Sequence, residues 1–440
     1  MKGLRSFLAL LVIAVALGGY VYHESKQELG GPEKKLEKVF PDVQSDKLEQ
    51  VTVKSAGGDR TTLQKQGSGW QMTQPSPLAA DEAEVSGISS NLASLEVQRV
   101  VDEQPTDFKQ YGLDPPRIEV AFKAAGGKQG TLQLGNKTPT GSDLYARLPD
   151  KPRVFLVSSY LETTFNKSAF DLRDKTILKI DRDKIDRLDV ETPDRTLTFA
   201  KKGAEWRITS PFDARADFSA IEGILGRLNA SPMKSIATPE VKDPKELTQY
   251  GLDKPAATIK VFTGSSQAGL AIGKSSGEGA VYAKDLSRPM VFTVESALAD
   301  DLKKPADDYR VKDLFDARAF NTTRLEIVRQ GQTMTFEKDK DAWKQVAPSA
   351  KAADAAKVEA LINALTGARA NSFESKIAAT GLDAPDLTVN VTFEEGQKHE
   401  KVAFAKKGTD AFARREGDAA AAKLDAAAYD SIIKALDALK

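Results

Sequence analysis

Three aspartates stand in one recurring setting. Asp81, Asp217 and Asp354 each end a stretch that opens on Trp (Trp70, Trp206, Trp343), passes a Pro (Pro75, Pro211, Pro348) and closes on Ala-Asp. Carboxylates held at a fixed position can act as general acids or bases. A carboxylate just ahead of a helix also accepts hydrogen bonds from its first free amides. Here apolar residues follow each Asp at helical spacing: Val85, Ile88, Leu92; Ile221, Ile224, Leu228; Val358, Leu361, Leu365. That stripe predicts an amphipathic helix, and capping accounts for the Asp in every copy.

Other residues of chemical interest resolve in the same way. Asp114, Asp253 and Asp383 lie in Gly-Leu-Asp-x-Pro turns, where a short carboxylate bonds its own backbone. Gly269 to Ser275 resembles a phosphate-binding loop, but the glycine spacing is one residue short and a turn and strand follow, not a helix. Glu394, Glu395 and His399 make a poor metal set on an expected loop. Asp300-Asp301 and Asp307-Asp308 read as a solvated helix surface. The tryptophans could stack on a sugar or a base; their repeated placement favours sealing the core. Lys65, Lys201 and Lys338 read as solvated strand positions. No residue is therefore assigned as catalytic, cofactor-binding or metal-binding. No cofactor, nucleotide or nucleic acid is expected, and the chain reads as a non-enzyme.

The tryptophans number three and fall 136 and 137 residues apart. The chain is one unit written three times. Each unit opens with an alternating strand (Leu48, Val51, Val53; Ile185, Leu188, Val190; Leu325, Ile327). A second strand and the Trp strand complete a three-stranded antiparallel meander. The capped helix follows, then a polar connector ending in Tyr111–Pro116, Tyr250–Pro255 or Thr380–Pro385. Next come an alternating strand, a short strand and an aromatic-Ala-basic strand (Tyr145-Ala146-Arg147, Tyr282-Ala283-Lys284, Phe412-Ala413-Arg414). The first two copies add a strong strand at Val154–Val157 and Val291–Val294. A terminal helix ends each copy, and the Ala-rich stretch from Ala419 to Ala428 is compatible with helix. Copies one and two leave through matching exits, Asp171–Lys175 and Asp308–Lys312, which the third lacks. The expected fold is α+β: three tandem, mostly antiparallel modules with two helices each, at 46–182, 183–319 and 320–440.

Composition removes several function classes. Of 440 residues 29% are charged, with formal net charge +0, so nothing draws the chain to nucleic acid or an acidic substrate. With no Cys, disulfides, thiol catalysis and a cysteine lipid anchor are excluded. With only His23 and His399, a histidine-rich metal site is ruled out.

Lys2 and Arg5 precede an apolar run from Ser6 to Tyr22. Its length is at the short end for a spanning helix, and the flanking charge predicts the N-terminus inside. A cleaved signal peptide ending near Ala14-Val15-Ala16 is the alternative. The anchor reading is preferred because the run continues to Tyr20 and Tyr22, residues suited to an interface. Residues 1–22 are thus the expected signal anchor, 23–45 a linker, and 23–440 face the periplasm or cell exterior from a single-pass inner-membrane segment.

The anchor, the Trp-x4-Pro stretch, the capping Asp, and Gly-Leu-Asp-x-Pro followed by Tyr-Ala-basic together resemble a bacterial family of uncharacterised function, the DUF4340 domain proteins. The resemblance covers residues 40–440. It implies companionship with an ABC transport system related to those of gliding motility, and carries over no catalytic residue. Thr380 and Phe412 depart from the pattern in the third copy. The expected function is an accessory or interaction subunit of such a system, with protein partners. An envelope-glycan binder and a carboxylate hydrolase are the alternatives.

Overall fold

The structure, a computed structural model, describes residues 36–340 and 342–439. The expected anchor at residues 6–22 and most of the linker lie outside them. Among the described residues no helix is long and apolar enough to cross a membrane.

Each repeat builds one nine-stranded sheet in which every pair is antiparallel. The first sheet lies in a compact unit ending at Asp174, and the second and third lie in a unit from Lys175 to Lys440. The second sheet illustrates the path. Four strands run outward from the middle: Arg187–Thr192, Arg195–Lys202, Glu205–Ser210 and Ala214–Arg215. A helix then carries the chain to the opposite edge strand, Ser235–Thr238. The chain returns to the middle at Ala257–Thr263, where Leu188 pairs with Val261. It runs outward again through Ser266–Gly277, Ala280–Asp285 and Val291–Glu295 until it meets that edge strand. The three-stranded meander expected from the sequence is therefore part of a larger sheet. The strands missed are short edge pieces such as Ala214–Arg215 and Ser235–Thr238, too brief to show a period.

Among the described residues the α-helices are α1 (Glu82–Ser94), α2 (Leu161–Phe165), α3 (Phe218–Ala230), α4 (Ser296–Lys303), α5 (Ala355–Gly367) and α6 (Ala426–Asp437). There are two per module, as expected. Their apolar stripes pack one face of each sheet. In the second module Ile221, Ile224 and Leu228 meet an interior that includes Leu188, Phe199, Trp206 and Ile259, all at most 2% exposed. Burying one such side chain contributes about 1.5–3 kcal/mol. Truncating Leu228 to Ala would therefore cost about 2–5 kcal/mol, the range for a cavity in a packed core.

The Ala-rich tail is corrected in part. Ala421–Leu424 is a strand, and helix begins only at Ala426. Ala421 is fully buried, and Ala422 pairs with Ala413. Small side chains fit this strand closely under α6, and Asp425 then caps that helix through Ala427 N. The third copy thus has the strong strand that its sequence conceals.

Connections between modules follow one plan. Asp217 N bonds Tyr309 O at 2.7 Å and Val311 N bonds Arg215 O at 3.1 Å, so the exit segment pairs with the edge of its own module. One residue later Lys312 O accepts from Ala370 N (2.8 Å), a contact just past α5 of the third module. The first module's exit makes the first kind of contact, Asp81 N to Leu172 O at 3.0 Å and Asp174 N to Ala79 O at 2.8 Å. The first module's own lead-in is Glu37–Lys38, which pairs with Glu96–Val97 past α1. In the third module no exit segment pairs with Ala352–Asp354 among the described residues, and Asp354 is exposed where Asp81 and Asp217 are half-buried.

Candidate functional site

The repeated aspartates are helix caps. Asp81 accepts from Ala83 N and Glu84 N, Asp217 from Ala220 N at 2.9 Å, and Asp354 from Ala356 N and Lys357 N. Trp206 and Trp343 are 2% and 1% exposed and sit in their cores, while Trp70 is half-buried against its own. The lysines are more than solvated strand positions. Lys201 and Lys338 pair across strands with Trp206 and Trp343, and each ammonium lies over the indole, at 5.1 and 5.9 Å. Lys65 instead donates to Asp46 O at 3.0 Å.

The Gly-Leu-Asp turns also need correction. Asp114, Asp253 and Asp383 are exposed, and none of their side chains bonds its own backbone. The glycine closes the first two turns instead: Gly112 and Gly251, at φ 68° and 67°, donate to Lys109 O and Thr248 O. The turn presses against a neighbouring strand. A Cβ on Gly135 or Gly273 would lie 2.1 or 2.2 Å from the carbonyl oxygen of Tyr111 or Tyr250. That close approach is why Gly273-Lys274 imitates a phosphate loop. Tyr111 and Tyr250 then pack on Tyr145 and Tyr282 at 5.0 and 5.1 Å, a pairing that the third module loses at both positions together.

Asp301 is not solvated. It is 9% exposed and bonds Lys304 (2.7 Å) and Arg227. Burial pushes its carboxyl up, but the hydrogen bonds and charges of Lys304 and Arg227 outweigh that and hold it below the usual range. A further ionic cluster joins the second and third modules. Asp316 bonds Arg215 of the second and Arg415 of the third, each at 3.0 Å. Glu400, 4% exposed, accepts from Asp316 N, Ala317 N and Arg415. Burial pushes the Glu400 carboxyl up. Arg310 is clasped between Phe212 and Phe373, at 5.0 and 3.5 Å. Periodicity gives no sign of the pairs Asp301–Arg227, Asp316–Arg215 and Asp316–Arg415, whose partners are 74, 101 and 99 residues apart. Glu394 bonds Lys398, and His399 Nδ1 lies 3.0 Å from Thr392 Oγ1.

A groove of about 650 Å³ lies on the outer sheet face of the first module. Its floor is a cross-strand row, Thr52–Ala121–Thr131. The same row in the second module is Asp189–Lys260–Gly269, and in the third Glu326–Asn390–Lys401. There the space is filled. Arg187 pairs with Asp189 at 2.6 Å and lies over Phe262, and Lys260 pairs with Glu191 at 2.7 Å. In the third module Asn390 donates to Glu326, and Lys401 pairs with Glu416. In the first module short uncharged side chains leave the row open. The lead-in segment closes one end, anchored by Phe40, which packs edge-on against the core residue Phe122 at 5.0 Å over Gly130, where a Cβ would strike both rings. Lys123, Lys128 and Lys151 line the groove with Asp42 and Asp150. No reading of single strands finds this site, because it arises from what three residues on different strands lack.

No curated protein matches this chain. The family described as "Domain of unknown function (DUF4340)" matches residues 70–205 and again 206–385. Each match opens on a Trp, within the third strand of a sheet, and runs on into the following module. The matches span well over half of the sequence, and the chain belongs to the DUF4340 family.

Proposed function

We propose that this protein is a membrane-anchored, non-enzymatic subunit that binds protein partners of an ABC-type export system. In this reading residues 6–22 hold it in the inner membrane and residues 23–440 face the periplasm or cell exterior. The observation that carries it is the edge at Ala352–Asp354. The equivalent edges of the first two modules are each covered by an exit segment, and among the described residues no segment pairs with the third. A free strand edge receives an extended partner segment through main-chain hydrogen bonds. The commitment of the recurrent aspartates to caps supports the non-enzymatic part. The ABC association rests on the family resemblance.

The test is affinity purification of the tagged full-length protein from its own membranes in mild detergent, followed by mass spectrometry. Transporter subunits are expected at near-stoichiometric amounts, and reduced when Asp354→Pro removes the outward amide equivalent to Asp217 N, but not by Asp354→Ala, which removes only the helix cap. Recovery of the protein alone, with the transporter otherwise intact, would refute the reading.

A further inference from the structure

We propose that the outer-face groove of the first module binds an acidic oligosaccharide, a chain of sugars bearing carboxylates. This goes beyond the partner-binding reading and does not depend on it.

The chemistry of the lining selects the class. The floor offers hydroxyls from Thr52 and Thr131 and amides from Gln50 and Gln129. Each such group both donates and accepts, as sugar hydroxyls require. The strands beneath are paired on both sides, so their main chains have no free hydrogen-bonding edge here. An extended peptide would lack main-chain partners, whereas a sugar can be satisfied by side chains alone. Pro41 and Pro149 supply apolar surface for the C–H faces of a sugar ring. Three lysines against two aspartates leave the lining net cationic. Lys128 donates to Asp42 O at 3.1 Å, which ties the lead-in segment to the groove wall. The volume is that of a small-ligand site, roughly 300–1,000 Å³.

The repeats supply the control. Thr52→Asp with Ala121→Lys rebuilds in the first module the pair of residue types that the second carries at Asp189 and Lys260. Gln50 and Lys54 stand where the second module has Arg187 and Glu191, so the introduced Asp and Lys, opposite one another across the strands, have each other as partners while their bulk fills the groove. The experiment is calorimetric titration of the detergent-solubilised full chain with oligogalacturonate, with maltohexaose and poly-glutamate as the neutral and peptide comparisons. We expect saturable binding of oligogalacturonate alone, weakened by added salt and at least tenfold weaker in the filled variant. Lys123→Ala should weaken it several-fold while leaving thermal unfolding unchanged. Absence of saturable binding up to millimolar oligogalacturonate would overturn the proposal. So would equal binding of maltohexaose or poly-glutamate, or undiminished binding in the filled variant. None of these results bears on recovery of transporter subunits, so the two readings fail separately.

Discussion

Replacing Gly273 by Ala would test the close packing of the Gly-Leu-Asp turn. The added Cβ would lie 2.2 Å from Tyr250 O and 3.1 Å from Leu252 Cγ. The first contact is with backbone, so no side-chain rotation relieves it, and turn and strand must separate by roughly 1 Å. Overpacking of this kind costs about 1–3 kcal/mol, and the rigid partner argues for the upper half. Alanine's lower unfolded-state entropy returns about 0.5–1 kcal/mol, which leaves about 1–2 kcal/mol. The third module has Ala405 at the equivalent position, with Thr380 in place of the tyrosine. Ala405→Gly should relieve no clash and cost about 1–2 kcal/mol, from strand entropy and the loss of a methyl buried beside Leu382 and Phe412. Each module carries one Trp, so Trp70→Phe with Trp343→Phe leaves Trp206 as the reporter of the second module. In urea, with m of about 1–3 kcal/mol/M, Gly273→Ala should lower that module's midpoint by roughly 0.5–1 M. An unchanged midpoint would refute the close-packing account, and a nucleotide-dependent rise in stability would revive the phosphate-loop reading.

Two further outcomes follow from burial and charge. The folded-state pKa of Asp301 is depressed, so its stabilising effect is present above the ordinary carboxylate range and lost as pH falls through the folded value. Asp301→Asn should cost about 1–2 kcal/mol at neutral pH, a charged hydrogen-bond value discounted because Arg227 and Lys304 are half-exposed. It should also flatten the decline of the second module's stability, measured by urea unfolding, as pH falls below the ordinary carboxylate range; a parallel decline in parent and variant would contradict the assignment. Acrylamide should quench chiefly Trp70, roughly a third of the emission if the three yields are similar, since Trp206 and Trp343 are sealed in their cores. Equal quenching of all three single-Trp variants would disprove that burial.

Local rules alone determined much of this protein. Repetition of Trp, Pro and Asp marked three units, alternation at residues such as Val51 and Val53 marked the strands, and Asp217 with Ile221, Ile224 and Leu228 marked a capped helix. Each signal is carried by residues within one or two turns or strands of one another, so spacing is enough to read it. Tertiary structure decided the rest. The edge strands are too short to show a period, and their assignment depends on a partner brought across the sheet by a helix. Asp301 looked solvated because nothing nearby in sequence announces Arg227, which approaches from another element. The groove is the clearest case. Thr52, Ala121 and Thr131 are unremarkable in their own strands and become a site only when strand register aligns them in one row. Only the comparison with Asp189–Lys260 and Glu326–Asn390 shows that the space is open. Register between strands distant in sequence is fixed by packing of the whole sheet, and no window along the chain contains it.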